Sequence, residues 1–335
     1  MLLRSLRGTG PGVLLLIIVI FAAVWAGAFI IPEPTTQLSY DTAYMPLYGL
    51  LKTALGSQKL SGPIFSAVLG AIMTLLLVKF NATCGFISSR TFLPALVYIL
   101  ITGLFPDFQI LNPVLPASLF LLLAIMSILE GYEHQGIVYN FFDAAFLIST
   151  GSLFYANLIW FGILVFIGIA VLRTGKPVEF LVTIIGLIAP YFLVFGIYYV
   201  IGKDIKELLR LIFVNLFEKE AGYQYPILIL TTLAIDTLGI LASLSNLFRL
   251  INTKKIKSRK VFVLLLSAFL ISIGVFVAVP SASAEMIWLI SIPSSYFLSF
   301  YFVFTKKKVF PEIYFWTILL LVLIIQFVNL RLIIF

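Results

Sequence analysis

The residues best suited to chemistry lie in a polar stretch, residues 32–60, between two apolar runs. It reads PEPTTQLSYDTAYMPLYGLLKTALGSQKL and holds Asp41, Tyr44, Tyr48 and Lys52. At 100° per residue these side chains fall along one edge of a helix. A carboxylate, two phenols and an ammonium on one edge are parts for general base chemistry. Asp41 would take a proton from an acceptor hydroxyl, and Tyr44, Tyr48 and Lys52 would bind the substrate. A carboxylate at a water–lipid boundary stays ionised unless it is buried, so it can act as a base near neutral pH. Helix capping, for which Asp is a favoured residue, is the simpler use of Asp41.

A second carboxylate, Asp107, sits in Pro106-Asp107-Phe108 at the end of a short apolar run. A turn aspartate after proline accounts for it equally well. Lys203, Lys206 and Arg210 are three cations in a second polar interruption, residues 202–223. They can clamp a diphosphate through charge-assisted hydrogen bonds, or snorkel from an interfacial helix. Asp236 falls inside an apolar run, in LAIDTLGI. An ionisable group at that depth is a functional candidate by default, and a hydrogen bond to a neighbouring helix is its structural use. Asp143 is the other intramembrane polar candidate, near a helix start. His134, between Glu130 and Glu133, reads as a solvated loop residue. With one histidine and one cysteine, Cys84, the chain supplies no His cluster, internal disulfide or Cys-based metal site. Tyr191, Tyr198, Tyr199, Tyr223 and Tyr225 read as an interfacial aromatic belt. Gly-rich phosphate loops, nucleophile elbows and zinc-helix patterns are absent from the sequence.

What must position these groups is a set of membrane helices. Of 335 residues, 62% are hydrophobic and 11% charged, against about 25% charged in a soluble domain. Apolar runs near or above ~18 residues recur to the C-terminus, the pattern of a polytopic helical membrane protein. Charges in hydrocarbon cost a few kcal/mol each, so the few present mark the loops. The net charge of +8 is concentrated beside the runs, as at residues 254–260 and 306–308. It reads as a positive-inside signal with contact to anionic lipid headgroups, not as a nucleic-acid surface.

In order, the expected spans are 13–31, 61–80, 91–105, 113–129, two from 140–172 split near 154–157, 179–201, 225–251, 261–279, 286–304 and 311–330. The split keeps Arg173, Lys176 and the 254–260 cluster on the inner side, and the small residues Ala144, Ala145, Ser149, Thr150, Gly151 and Ser152 suit close packing there. Leu47, Leu50, Leu51, Ala54 and Leu55 make one interfacial amphipathic helix, and Ile205, Leu208, Leu209, Ile212 and Leu216 another. With the N-terminus cytoplasmic, 15 of 22 basic residues lie inside. The expectation is an all-α polytopic protein of about eleven spans, with both amphipathic helices on the periplasmic side.

An aspartate-bearing interfacial helix after span 1 and a second interfacial helix after span 7 give a layout similar to the glycosyltransferase C superfamily. That resemblance covers residues 1–223 and leaves 224–335 as a C-terminal four-span bundle. It implies a polyprenyl-phosphate-linked sugar as donor, Asp41 as catalytic base and Asp107 as its assistant or as holder of a divalent metal. It also implies that Lys203, Lys206 and Arg210 hold the carrier phosphate. The stretches SSRTFLPALVYIL (88–100), FFDAAFLISTGSLFY (141–155) and IGLIAPYFLVF (185–195) resemble recurring segments of an uncharacterised family of Bacteroidota inner-membrane proteins, which implies that compartment; the expected partners are membrane lipids, the polyprenyl-phosphate carrier and other envelope proteins. Two rival functions fit the same layout. One is a non-catalytic subunit or scaffold of a cell-envelope complex. The other is a transporter or flippase with Asp236 as coupling carboxylate; transporters usually carry internal repeats, and none is evident here.

Overall fold

The computed structural model describes residues 6–31, 43–55, 59–133, 139–172, 176–218, 225–305 and 309–330. Asp41, His134, Arg173 and Tyr223 lie outside the described residues. The described helices are α1 (Pro11–Ile30), α2 (Pro46–Leu55), α3 (Ser61–Cys84), α4 (Leu93–Thr102), α5 (Val114–Glu133), α6 (Tyr139–Ser152), α7 (Gly162–Leu172), α8 (Pro177–Ile201), α9 (Ile205–Phe217), α10 (Ile227–Leu250), α11 (Ile256–Ala278), α12 (Ile287–Phe304) and α13 (Val309–Asn329). Short 3-10 turns at Pro106–Phe108 and Ala156–Phe161 lie between α4 and α5 and before α7. Among the described residues, eight helices are long and apolar enough to cross a membrane: α1, α3, α5, α8 and α10 to α13. They mark a multi-pass membrane protein.

The remaining expected spans fall on shorter helices. α4 has 10 residues and α6 has 14. At ~1.5 Å per residue, α4 covers about 15 Å, half of a hydrocarbon core. Non-helical backbone at such depth survives only inside protein, where its polar groups find partners. That is what surrounds α4. All its residues are buried, and the chain beyond it is tied down by side chains. Gln326 Nε2 donates to Gly103 O at 2.8 Å, Ser66 Oγ donates to Ile110 O at 3.0 Å, and Asn112 Oδ1 accepts from Val114 N and Leu115 N. The expected break near 154–157 is present between α6 and α7, and it too is covered by protein: Leu47 N donates to Leu153 O at 3.1 Å.

The tightest helix pair is α6 with α8. A Cβ on Gly186 would stand 2.7 Å from Phe142 O, so only glycine lets the two backbones approach this closely. Ser149 Oγ donates to Leu187 O at 2.6 Å, and Ser152 and Tyr191 share a hydrogen bond of 2.8 Å between their hydroxyls. Ala145, Ser149 and Ser152 of α6 lie along this seam, whereas Gly151 faces Phe120 of α5. The far side of α8 exposes Phe192, Tyr199 and Val200, as a lipid-facing surface does. α12 runs through the centre, with nearly every residue buried and Tyr296 Oη donating to Leu77 O of α3.

Connections gather at two ends. At one, Lys257 Nζ donates to Thr83 O, Ser258 Oγ to Gly85 O and Lys260 Nζ to Leu172 O. This is the basic end. At the other, α2, α9, the 103–113 connection, the α6–α7 break and the α11–α12 connection meet. This is the amphipathic end.

Candidate functional site

The site is built where the amphipathic end opens into the back of the bundle. α2 is seated there through Tyr48, which is buried and donates from its hydroxyl to Leu111 O at 3.2 Å. Lys52 Nζ donates to Tyr44 Oη at 2.9 Å and lies 4.3 Å from the Tyr44 ring centroid. Three members of the expected edge, Tyr44, Tyr48 and Lys52, lie together, the Tyr44 and Tyr48 rings meeting edge-on with centroids 6.0 Å apart; Asp41 lies outside the described residues. The described helix begins at Pro46, so Tyr44 joins this group from the segment that leads into it; Tyr48 is buried, and Tyr44 and Lys52 are half-buried.

α9 shows the expected two faces. Asp204 caps it by accepting from Lys206 N at 2.8 Å. Leu208 is buried, and Lys203, Lys206 and Arg210 are exposed, with Lys203 Nζ 5.4 Å from the Tyr198 ring centroid. Leu209, Phe213 and Phe217 also remain exposed, which suits a helix lying on a lipid surface. Asn215 Nδ2 of α9 donates to Ala43 O at 3.0 Å, joining the two amphipathic helices.

The polar centre of this end lies in residues the sequence patterns did not single out. Tyr155 Oη donates to Glu285 Oε1 at 2.9 Å, and Ser283 N donates to the same oxygen at 3.0 Å. Asn157 Nδ2 donates to Ser281 Oγ at 3.0 Å, and Ser281 Oγ donates in turn to Leu216 O of α9. Tyr155, Asn157, Ser281 and Glu285 are all buried. A buried carboxylate held by a phenol and a backbone amide is a fixed acceptor, because hydrogen bonds to charged groups are the strong ones. The signal that could have found it is an acid, Glu285, at the threshold of a long apolar run just after Pro280.

Beside this network opens a groove of 490 Å³ between α10, α11 and α12. Its walls are apolar, with Ile240, Phe269, Ile273 and Ile290 among them, and its polar lining includes Tyr225, Asp236, Thr237, Ser283 and Ser294. Phe105, one residue before the Asp107 turn, also lines it and stacks edge-on against Tyr225. Such a volume falls in the ~300–1,000 Å³ range of small-molecule sites.

Asp236 forms part of the groove wall at 4% exposure. Its Oδ1 accepts from Tyr314 Oη of α13 at 3.1 Å, and its Oδ2 has no hydrogen-bond partner among the described residues. Tyr314 reaches it across Gly239, where a Cβ would stand 2.1 Å from the phenol oxygen. Asp143, by contrast, is exposed in the second turn of α6, away from the groove lining. Asp107 is half-buried in its 3-10 turn. Among the described residues no three His, Cys, Asp or Glu side chains come together as metal ligands.

No curated protein and no solved structure matches this chain. A family model does match, over residues 50–334, which takes in α3 to α13 with the groove, the Glu285 network and Asp236. The chain belongs to the family described as a family of unknown function, DUF6427.

Proposed function

We propose that this protein lies in the bacterial inner membrane with its N-terminus cytoplasmic, and that it handles a polyprenyl-phosphate-linked sugar or glycan at the periplasmic face. The observation that carries the reading is the 490 Å³ apolar groove between α10, α11 and α12, whose lining runs from isoleucines and phenylalanines to Tyr225 and Ser283 beside the Glu285 network. A hydrocarbon chain gains about 25 cal/mol for each Å² it buries, and a groove of this lining offers that burial while leaving a polar headgroup at the amphipathic end. In this reading the headgroup meets the side of the protein where α2 and α9 join through Asn215 and Ala43. Lys203, Lys206 and Arg210 hold the carrier phosphate, Tyr44 and Lys52 face the sugar, and Asp41 is the base with Asp107 assisting. The eleven-span, glycosyltransferase C-like layout belongs to the same proposal.

The test begins with lipid extracted from the purified protein and identified by mass spectrometry. An isoprenoid phosphate that disappears in an Ile240→Trp/Ile290→Trp variant supports the reading. Bulk phospholipid alone, in equal amounts from both proteins, overturns it. Asp41→Asn then separates enzyme from carrier-binding subunit: loss of surface glycans at normal protein level supports catalysis, and unchanged glycans leave lipid handling without it.

A further inference from the structure

The basic end carries a second cavity, of 540 Å³, that the reading above does not use. It forms where α3 gives way to α4. Gly85 takes a left-handed conformation (φ +62°) and its N–H closes α3 on Asn81 O at 3.0 Å. The following segment, GFISSRT, is pinned at both ends: Asn81 Oδ1 accepts from Ile87 N at 3.0 Å, and Thr91 Oγ1 accepts from Leu93 N at 3.2 Å. Phe86 and Ile87 are buried, so the intervening Ser88, Ser89 and Arg90 are held outward on a fixed frame.

Thr9, Asn81, Ser88, Ser89, Arg90 and Thr91 supply the polar lining. Among the described residues no carboxylate lines the cavity. Its rim is braced by α11, where Lys257 Nζ donates to Thr83 O at 2.8 Å and Ser258 Oγ to Gly85 O at 3.1 Å. A guanidinium among hydroxyls and an amide, with a second cation at the rim and no acid among the described lining residues, is a donor-rich positive site. Guanidinium offers phosphate two parallel N–H bonds in one plane, and hydroxyls on a preformed loop add donors at small entropic cost.

We propose that this cavity is a binding site for a phosphate or diphosphate group, held by Arg90 with Ser88, Ser89 and Thr9. The chemistry has two sources: the headgroup of an anionic membrane lipid, or a free phosphate ester from the aqueous side. The site lies at the opposite end of the bundle from α2 and α9 and stands independently of the groove.

The experiment uses the full chain in phosphatidylcholine nanodiscs. Inorganic pyrophosphate is titrated calorimetrically in one arm. In the other, phosphatidylglycerol is mixed into the nanodiscs and bound copies are counted by native mass spectrometry. Saturable binding in the first arm assigns a free anion, and in the second a lipid headgroup. In either arm Arg90→Gln weakens binding at least about tenfold, the loss of a bidentate charge-assisted contact. Lys255→Gln, the same charge change on the same end but off the cavity lining, changes it less than about twofold, as expected of a screened surface charge. If Arg90→Gln fails to accumulate, Ser88→Ala/Ser89→Ala is measured instead and gives a smaller loss in the same arm. Absence of saturable binding in both arms overturns the proposal, as does equal affinity in the wild type and the Arg90 or serine variants.

Discussion

Asn215 Nδ2 donates to Ala43 O at 3.0 Å across a sequence separation of 172 residues. The bond joins the segment leading into α2 to the last turns of α9, so the two amphipathic helices share one end of the bundle. Thr83, Gly85 and Leu172 are met by the lysines and serine of α11 at the other. Single-cysteine variants on a Cys84→Ser background test this arrangement. Thr53→Cys and Lys206→Cys, both at exposed positions, react with an impermeant maleimide from one side of sealed vesicles. Ser89→Cys and Lys255→Cys, also exposed, react from the opposite side. Labelling of Thr53 and Lys206 from different sides would falsify the common end.

The Asn215 bond itself has a smaller, local consequence. Asn215→Ala removes two neutral hydrogen bonds, from Nδ2 to Ala43 O and to Leu211 O, each worth about 0.5–1.5 kcal/mol, and leaves α9 held by Ser281 at Leu216 O. Hydrogen exchange rises severalfold in the last turns of α9, where Asn215 lies, and less in its first turn. Equal exchange in variant and wild type would mean that the contact holds nothing.

The Glu285 network predicts a measurable coupling. Tyr155→Phe and Glu285→Gln each weaken one shared contact, Tyr155 Oη to Glu285 Oε1. A double-mutant cycle on thermal unfolding in detergent yields a coupling of about 1.5–3 kcal/mol, the range for a hydrogen bond to a charged group. Additive single effects would show that the phenol and the carboxylate act separately.

Much of this architecture was legible in the sequence because lipid imposes a simple code. Long apolar runs, charge at the ends and two 3.6-period stripes marked the helices from α1 to α13, including the break between α6 and α7. Asp236 stood out because a lone carboxylate in an apolar run breaks that code. Its partner Tyr314 did not, since a tyrosine in a membrane helix looks like any belt aromatic, and the contact depends on Gly239 lying 75 residues away in the chain. The groove was invisible for a related reason. Its wall residues, such as Ile240 and Ile290, have the same side chains as lipid-facing positions, and only the crossing of α10, α11 and α12 distinguishes a cleft from a surface. The helical edge was legible for Tyr44, Tyr48 and Lys52, which lie together although the described helix starts only at Pro46.

The last prediction follows from that crossing. Gly239→Ala puts a methyl where the Tyr314 hydroxyl now lies, 2.1 Å from the new Cβ. The ring is rooted on α13 and most of it is buried, so it must leave Asp236 or force α10 and α13 apart. Overpacking of this kind costs about 1–3 kcal/mol. Loss of the phenol from Asp236 adds about 1–3 kcal/mol for a buried polar group left unsatisfied. Tyr314→Phe incurs only the second of these costs, so it destabilises less than Gly239→Ala. Gly239→Ala/Tyr314→Ala relieves the clash, and its melting temperature lies above the value that summing the two single substitutions gives. Asp236→Asn keeps an acceptor for the phenol and stays closest to the wild type. If Gly239→Ala proves as stable as the wild type and Asp236→Asn is the most destabilised, the packing of Tyr314 over Gly239 does not hold the carboxyl in place.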